Sequence, residues 1–80
     1  MKKPKVTIYS LPRCPFCQQT KAYFRHHKIK YEDVDVLTNP SAQAEMIAKS
    51  GQTSTPVIEM NGRVLVGFQK DVLDSLLSLK

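Results

Sequence analysis

Cys14 and Cys17 are the two cysteines of an 80-residue chain, and only Pro15 and Phe16 stand between them. A bridge between them closes a loop of four residues, for which the chain-entropy relation gives ~2 kcal/mol of stabilisation, against ~3 for fifteen. The pair is therefore poorly suited to stapling a fold, and such sparing cysteine usage indicates a reducing compartment and a chemical role. Thiol–disulfide exchange is that chemistry. The thiolate is the attacking species, and an ordinary thiol of pKa ~8.5 is only a few per cent ionised at neutral pH. Arg13 precedes Cys14, Lys21 and Arg25 follow, and no acid occurs before Glu32, so the local field favours a thiolate at Cys14.

A metal site is the competing use of a cysteine pair. Structural zinc takes four ligands, and His26 and His27 are the available completions. The nine helical positions from Cys17 to His26 rise ~13 Å at ~1.5 Å each, too far for one ion to reach both ends. The histidines suit the negative end of the helix dipole instead. A metal ion or iron–sulfur cluster held between two chains stays open as an alternative, in which the protein is a non-catalytic carrier.

The elements around the cysteines follow from pattern. Lys5-Val6-Thr7-Ile8-Tyr9 alternates with β-branched and aromatic residues and stops at Ser10-Leu11-Pro12, which predicts a strand ending just before Cys14. Pro15 fits the first position of a helix, where no backbone donor is needed, and the helix runs to about His26. Phe16, Thr20, Tyr23, Phe24 and His27 fall on one face. Cys14 then lies at the helix start, where unpaired N–H groups and the dipole favour an anion. Cys17 lies one turn in, more buried and slower to lose its proton. That division suits an attacking and a resolving thiol.

A second strand is predicted over Ile29 to Val36, with apolar residues of both parities, as in a central parallel strand, although a bulge near Asp33 gives the same pattern. Asn39-Pro40 then reads as cap and first position of a helix that Gly51 ends. Val57 to Met60 and Arg63 to Val66, joined by Asn61-Gly62, predict a hairpin with a type I′ turn. Val72, Leu73, Leu76 and Leu77 mark the buried stripe of a closing helix. The order is β-α-β-α-β-β-α in one domain spanning residues 1–80, with no repeat and no linker.

Composition sets the limits on function. Hydrophobic residues at 41% and charged residues at 24% are ordinary globular usage. No apolar run approaches the ~20 residues that span a bilayer, and the basic start Met1-Lys2-Lys3 is followed by a stretch too short and polar for a signal segment. A mature cytoplasmic protein, monomeric and free of membranes, is expected. The net charge of +5 is uneven: residues 1–30 carry eight Lys or Arg and no acid. Stacking aromatics do not interleave those charges and Trp is absent, which argues against nucleic acid as a partner.

With these residues in place, the chain resembles the glutaredoxin family of the thioredoxin-like fold. Cys14-Pro15-Phe16-Cys17 matches its Cys-Pro-aromatic-Cys motif, Thr55-Pro56-Val57 its Thr-Pro-Val neighbourhood, and Asn61-Gly62 with Gly67 its hairpin and following glycine. It is also similar to the NrdH-redoxins that serve ribonucleotide reductase, where Gly67-Phe68 is the better match. The resemblance, over residues 5–79, implies an α/β fold with a four-stranded mixed sheet flanked by helices. It implies a dithiol–disulfide oxidoreductase acting on protein disulfides or glutathione mixed disulfides, with Cys14 and Cys17 as the redox pair and no bound cofactor. In the family the proline matched by Pro56 is cis and faces the cysteines, leaving the backbone of the residue before it, here Thr55, free to pair with an extended substrate. Arg13, Pro15, Phe16, Gly67 and Phe68 are the other implied substrate contacts, with Phe16 and Phe68 open to reading as core residues.

One departure bears on the electron donor. Glutathione-using members carry Gly-Gly before the last helix and acids at its start, which receive the γ-glutamyl group. Here the stretch is Val66-Gly67-Phe68-Gln69-Lys70-Asp71. Gln69 and Lys70 stand where acids are expected, so the ligand ammonium loses its partner and meets Lys70. Glutathione or a flavoprotein thioredoxin reductase can supply electrons, and the missing acids favour the reductase with weak glutathione use.

Overall fold

The computed structural model describes residues 5–77; the basic start and the last three residues of the expected domain lie outside them. Seven elements follow in the expected order: β1 (Val6–Ser10), α1 (Pro15–His26), β2 (Glu32–Asp35), α2 (Pro40–Ser50), β3 (Val57–Met60), β4 (Arg63–Val66) and α3 (Lys70–Leu76). The strands form one mixed sheet in the order β2-β1-β3-β4. β1 and β2 are parallel, with Ser10 opposite Asp35, while β3 is antiparallel to both β1 and β4.

Strand alternation sorts the core into two layers. Val6, Ile8, Ile58 and Met60 face α1 and α3, where Tyr23, Phe24 and Leu73 complete a buried cluster. Tyr9 and Val57 face the other way and bury Ala42 and Met46 of α2 together with Val36. The helix boundaries have local causes. Asn39 Oδ1 accepts the Ala42 N–H at 3.1 Å at the head of α2, and Gly51 ends it in the left-handed region at φ 78°, its N–H reaching the Ile47 carbonyl at 2.7 Å. The hairpin turn takes positive φ at Asn61 and Gly62, 51° and 86°, as a type I′ turn demands.

Four expectations need correction. β1 is shifted one residue later, and β2 is shorter than residues 29–36 and lies at the sheet edge, not its centre. Its apolar residues of both parities have another cause. Ile29 and Tyr31 precede the strand and pack on the α1 side, while Val34 and Val36 pack on the α2 side. Phe16 does not join the buried stripe of α1, which consists of Cys17, Thr20, Tyr23 and Phe24; Phe16 points outward from the first turn, 59% exposed. In α3, Leu73 is buried and Leu76 and Leu77 pack against the core, but Val72 is on the exposed side.

Candidate active site

Parallel β1 and β2 end at the same edge of the sheet, and antiparallel β3 begins there, with Tyr9 opposite Val57. Whatever follows β1 and precedes β3 is therefore brought together. After β1 comes the turn that carries Arg13 and Cys14, and before β3 comes Thr55-Pro56. Thr55 Oγ1 lies 3.6 Å from Cys14 Sγ, and the Thr55–Pro56 peptide is cis. Gly67, which follows β4 with φ 78°, donates its N–H to the Pro56 carbonyl at 2.8 Å and so braces this loop from behind.

Cys14 is the N-cap of α1, and Pro15 occupies the first turn. Its sulfur accepts the Cys17 N–H at 3.1 Å. A sulfur so placed receives both a backbone hydrogen bond and the positive end of the helix dipole, and each stabilises a thiolate over a thiol. Cys17 is bonded to Cys14 as a disulfide, with 5.1 Å between the Cα atoms. The two cysteines differ in access: Cys14 is half-buried and Cys17 fully buried. Arg13, Pro15 and Phe16 are exposed around them.

Phe68 has a mixed role. It is partly exposed, yet its ring packs against the core and lies 5.8 Å from the Tyr23 ring, edge to face. Beside it, Gln69 is the N-cap residue of α3, but its amide donates to the Val66 carbonyl at 2.8 Å and gives the helix no side-chain cap. Lys70 does not project freely: its ammonium is 2.8 Å from Asp74 one turn on. Asp74 also accepts the Tyr23 hydroxyl hydrogen. Burial, and then that bond, push the Tyr23 pKa up. Lys70 first and Tyr23 second hold the Asp74 carboxyl below its ordinary range.

The field around the cysteines is also less simple than the acid-free stretch of sequence implies. Asp33, brought in by β2, meets Lys21 at 2.8 Å and accepts the Ser10 hydroxyl at 2.8 Å. Lys21 is thus paired, and Arg25 donates to the Tyr31 hydroxyl at 3.1 Å. Arg13 remains as the exposed cation adjoining Cys14. Sequence reading missed Ser10 and Asp33 because their partners are distant along the chain; the one available signal was a serine closing a strand next to the cysteine turn. It also missed Leu37, 66% exposed just after β2. His26 and His27 sit at the far end of α1 as expected, His27 edge to face with Tyr23 at 4.5 Å between ring centres.

The family model for glutaredoxin matches residues 6–65. A glutaredoxin-like 8.6 kDa protein in the rubredoxin operon of Clostridium pasteurianum, itself uncharacterized, is 39% identical over 90% of this chain and 96% of its own. Among solved structures, a thioredoxin-like protein superposes with a TM-score of 0.85 at 33% identity, covering 91% of this chain and all of the other. The glutaredoxin-like NrdH-redoxin from Escherichia coli superposes at 0.79 and 28% identity, over 90% of this chain and 93% of that one. With a four-stranded mixed sheet, three helices and a Cys14–Cys17 pair at the head of α1, the chain has the thioredoxin-like fold and belongs to the glutaredoxin family, whose members are generally thiol–disulfide oxidoreductases.

Proposed function

We propose that this protein reduces disulfide bonds in proteins through its Cys14–Cys17 dithiol. The observation that carries the reading is the asymmetry of the pair: a half-buried cysteine whose sulfur caps a helix and accepts a backbone N–H at 3.1 Å, joined to a cysteine with no exposure at all. In the reduced protein the Cys14 thiolate attacks one sulfur of the substrate disulfide. A bond forms between Cys14 and that sulfur, the substrate S–S bond breaks, and the other substrate sulfur leaves as a thiolate that takes up a proton. Cys17 then gives up its proton and attacks Cys14 Sγ, which releases the second substrate thiol and leaves the Cys14–Cys17 disulfide. Two electrons have passed to the substrate. Thr55, beside Cys14, offers backbone groups for an extended substrate chain, and Arg13, Pro15 and Phe16 border the same opening.

The electron donor that returns the pair to the dithiol is glutathione or a flavoprotein thioredoxin reductase, and the start of α3 favours the reductase. Neither Gln69 nor Lys70 offers a carboxylate to a γ-glutamyl ammonium; Asp74 offsets the Lys70 charge, so the missing carboxylates and not repulsion by Lys70 carry this preference. The structure of the related Escherichia coli NrdH-redoxin is described in terms of a thioredoxin-like activity profile, which points the same way.

Reduction of insulin disulfides tests the main reading. The wild-type protein accelerates it, and Cys14→Ser does not; a fully active Cys14→Ser variant overturns the assignment. Offering the oxidised protein either glutathione or thioredoxin reductase with its nicotinamide cofactor identifies the donor. Replacing Gln69 and Lys70 together by Asp improves turnover of glutathione mixed disulfides if the missing acids are the reason for weak use. Iron content and visible absorbance of the purified protein distinguish this chemistry from carriage of an iron–sulfur cluster.

A further inference from the structure

Among the described residues, the two most exposed large hydrophobic side chains are Leu37, at 66%, and Phe16, at 59%. Single exposed leucines are common on protein surfaces and need no explanation by themselves. The placement of this one does. Asp35 pairs with Ser10 at the end of the parallel strands, and the next N–H, that of Val36, donates to the Ser10 carbonyl at 3.0 Å. Leu37 therefore emerges alongside the Leu11-Pro12 segment that leads into Cys14. Thr55 approaches Cys14 from the β3 side of β1, so in the sheet order β2-β1-β3-β4 Leu37 and Thr55 flank the cysteine turn on opposite sides.

The segment that presents Leu37 is pinned at both ends. Its own N–H donates to Asp35 Oδ1 at 2.8 Å, and two residues later Asn39 caps α2. Leu37 is thus held outward by fixed backbone. Phe16 is likewise exposed, in the first turn of α1 and next to Cys17 in the chain. The stretch from Leu11 to Phe16 carries no acidic group.

We infer that Leu37 is a specificity residue, which receives a large apolar side chain of a polypeptide substrate beside the cysteine that Cys14 attacks. The occupant is an extended peptide segment whose disulfide is flanked by residues such as leucine. Burial of the two apolar groups against each other favours such a substrate over one with a polar flank, because apolar area is removed from water. A small disulfide carries no large apolar side chain to bury and is indifferent to Leu37. The inference rests on the reading of Cys14 as the attacking sulfur and adds a class of substrate to it.

The test uses the full chain, pre-reduced, and three disulfides: two peptides that differ only in leucine or serine beside the half-cystine, and hydroxyethyl disulfide. The wild type is expected to reduce the leucine peptide about tenfold faster than the serine peptide in kcat/KM, a difference of ~1.4 kcal/mol. In Leu37→Ser the ratio falls to about one, while the hydroxyethyl disulfide rate is unchanged, and Leu37→Met retains the preference. A ratio that survives in Leu37→Ser, or rates that fall equally for all three disulfides, overturns the inference. A wild type that reduces none of them overturns the reading of Cys14 itself, and a wild type that reduces all three without preference overturns only the role of Leu37.

Discussion

Three cations stand near Cys14 in the sequence, and the structure ranks them. Arg13 adjoins the cysteine and is exposed, whereas Lys21 is committed to Asp33 at 2.8 Å and Arg25 to the Tyr31 hydroxyl. Arg13→Glu is therefore expected to raise the pKa of reduced Cys14 by an amount that screening keeps small, since charge acts here through solvent. Lys21→Ala is expected to move it by less, because Asp33 already offsets that charge. Thiolate absorbance near 240 nm against pH, in Cys17→Ser variants so that one thiol titrates, measures both. A larger shift from Lys21 than from Arg13 would reverse the ranking. The cysteine pair was legible in the sequence because its geometry is local: two residues, a proline and a helix start. The state of Lys21 was not, since Asp33 arrives from a strand twelve positions later.

At the scale of elements, boundaries set by short-range chemistry were legible and those set by packing were not. Asn39-Pro40, Gly51 and Asn61-Gly62 each impose their conformation on the chain around them, and each marks its boundary as expected. Two substitutions measure this directly. Asn39→Ala removes the acceptor for the Ala42 N–H and is expected to destabilise the protein by about 1 kcal/mol. Gly51→Ala places a side chain in the left-handed region, where about 1–2 kcal/mol is lost although there is open space for the methyl group. Urea denaturation reports both as lower midpoints, and unchanged midpoints would show that α2 does not depend on its ends. β2 was misread, and the place of Phe16 on α1 was left open, for the opposite reason. Apolar residues at 29, 31, 34 and 36 satisfy two different layers of core, and no local pattern tells which of them belong to a strand. Phe16 has helical spacing for the buried face, but in the first turn it is Cys17 that is buried and Phe16 that is exposed.

For the whole molecule, two networks tie elements that are distant in sequence. Tyr23 of α1 and Lys70 of α3 meet at Asp74. On the other face the Tyr9 hydroxyl of β1 donates to Glu45 of α2 at 2.6 Å, and Lys49 bridges Glu45 to Glu59 of β3. Asp74, held low by Lys70 first and Tyr23 second, and Glu45, held low by Tyr9 first and Lys49 second, both have folded pKa values below their ordinary ones. Their stabilisation is complete above the unfolded carboxylate values, about 4. It is withdrawn as pH falls through the depressed folded values, where the unfolded chain has already taken up its protons. The urea midpoint is thus expected to be level from about pH 7 to 5 and to fall below about 4. Asp74→Asn should lower the midpoint at neutral pH and leave less of it to lose in acid. An acid-induced fall of the same size in Asp74→Asn and the wild type would remove Asp74 from the account. The sheet order that places Thr55 and Leu37 on either side of the cysteine turn came from the structure alone, since strand neighbours are not encoded by any one segment.

The central claim is that Cys14 is the activated sulfur and Cys17 the protected one. Alkylation of the reduced protein by iodoacetamide across a pH series, with fragmentation mass spectrometry to locate the adduct, tests it most directly. The account predicts that Cys14 is modified first, with a midpoint within the ~3.5–7.5 range of activated thiols, and that Cys17 reacts only at higher pH. Modification of Cys17 first, or a common midpoint near ~8.5, contradicts it.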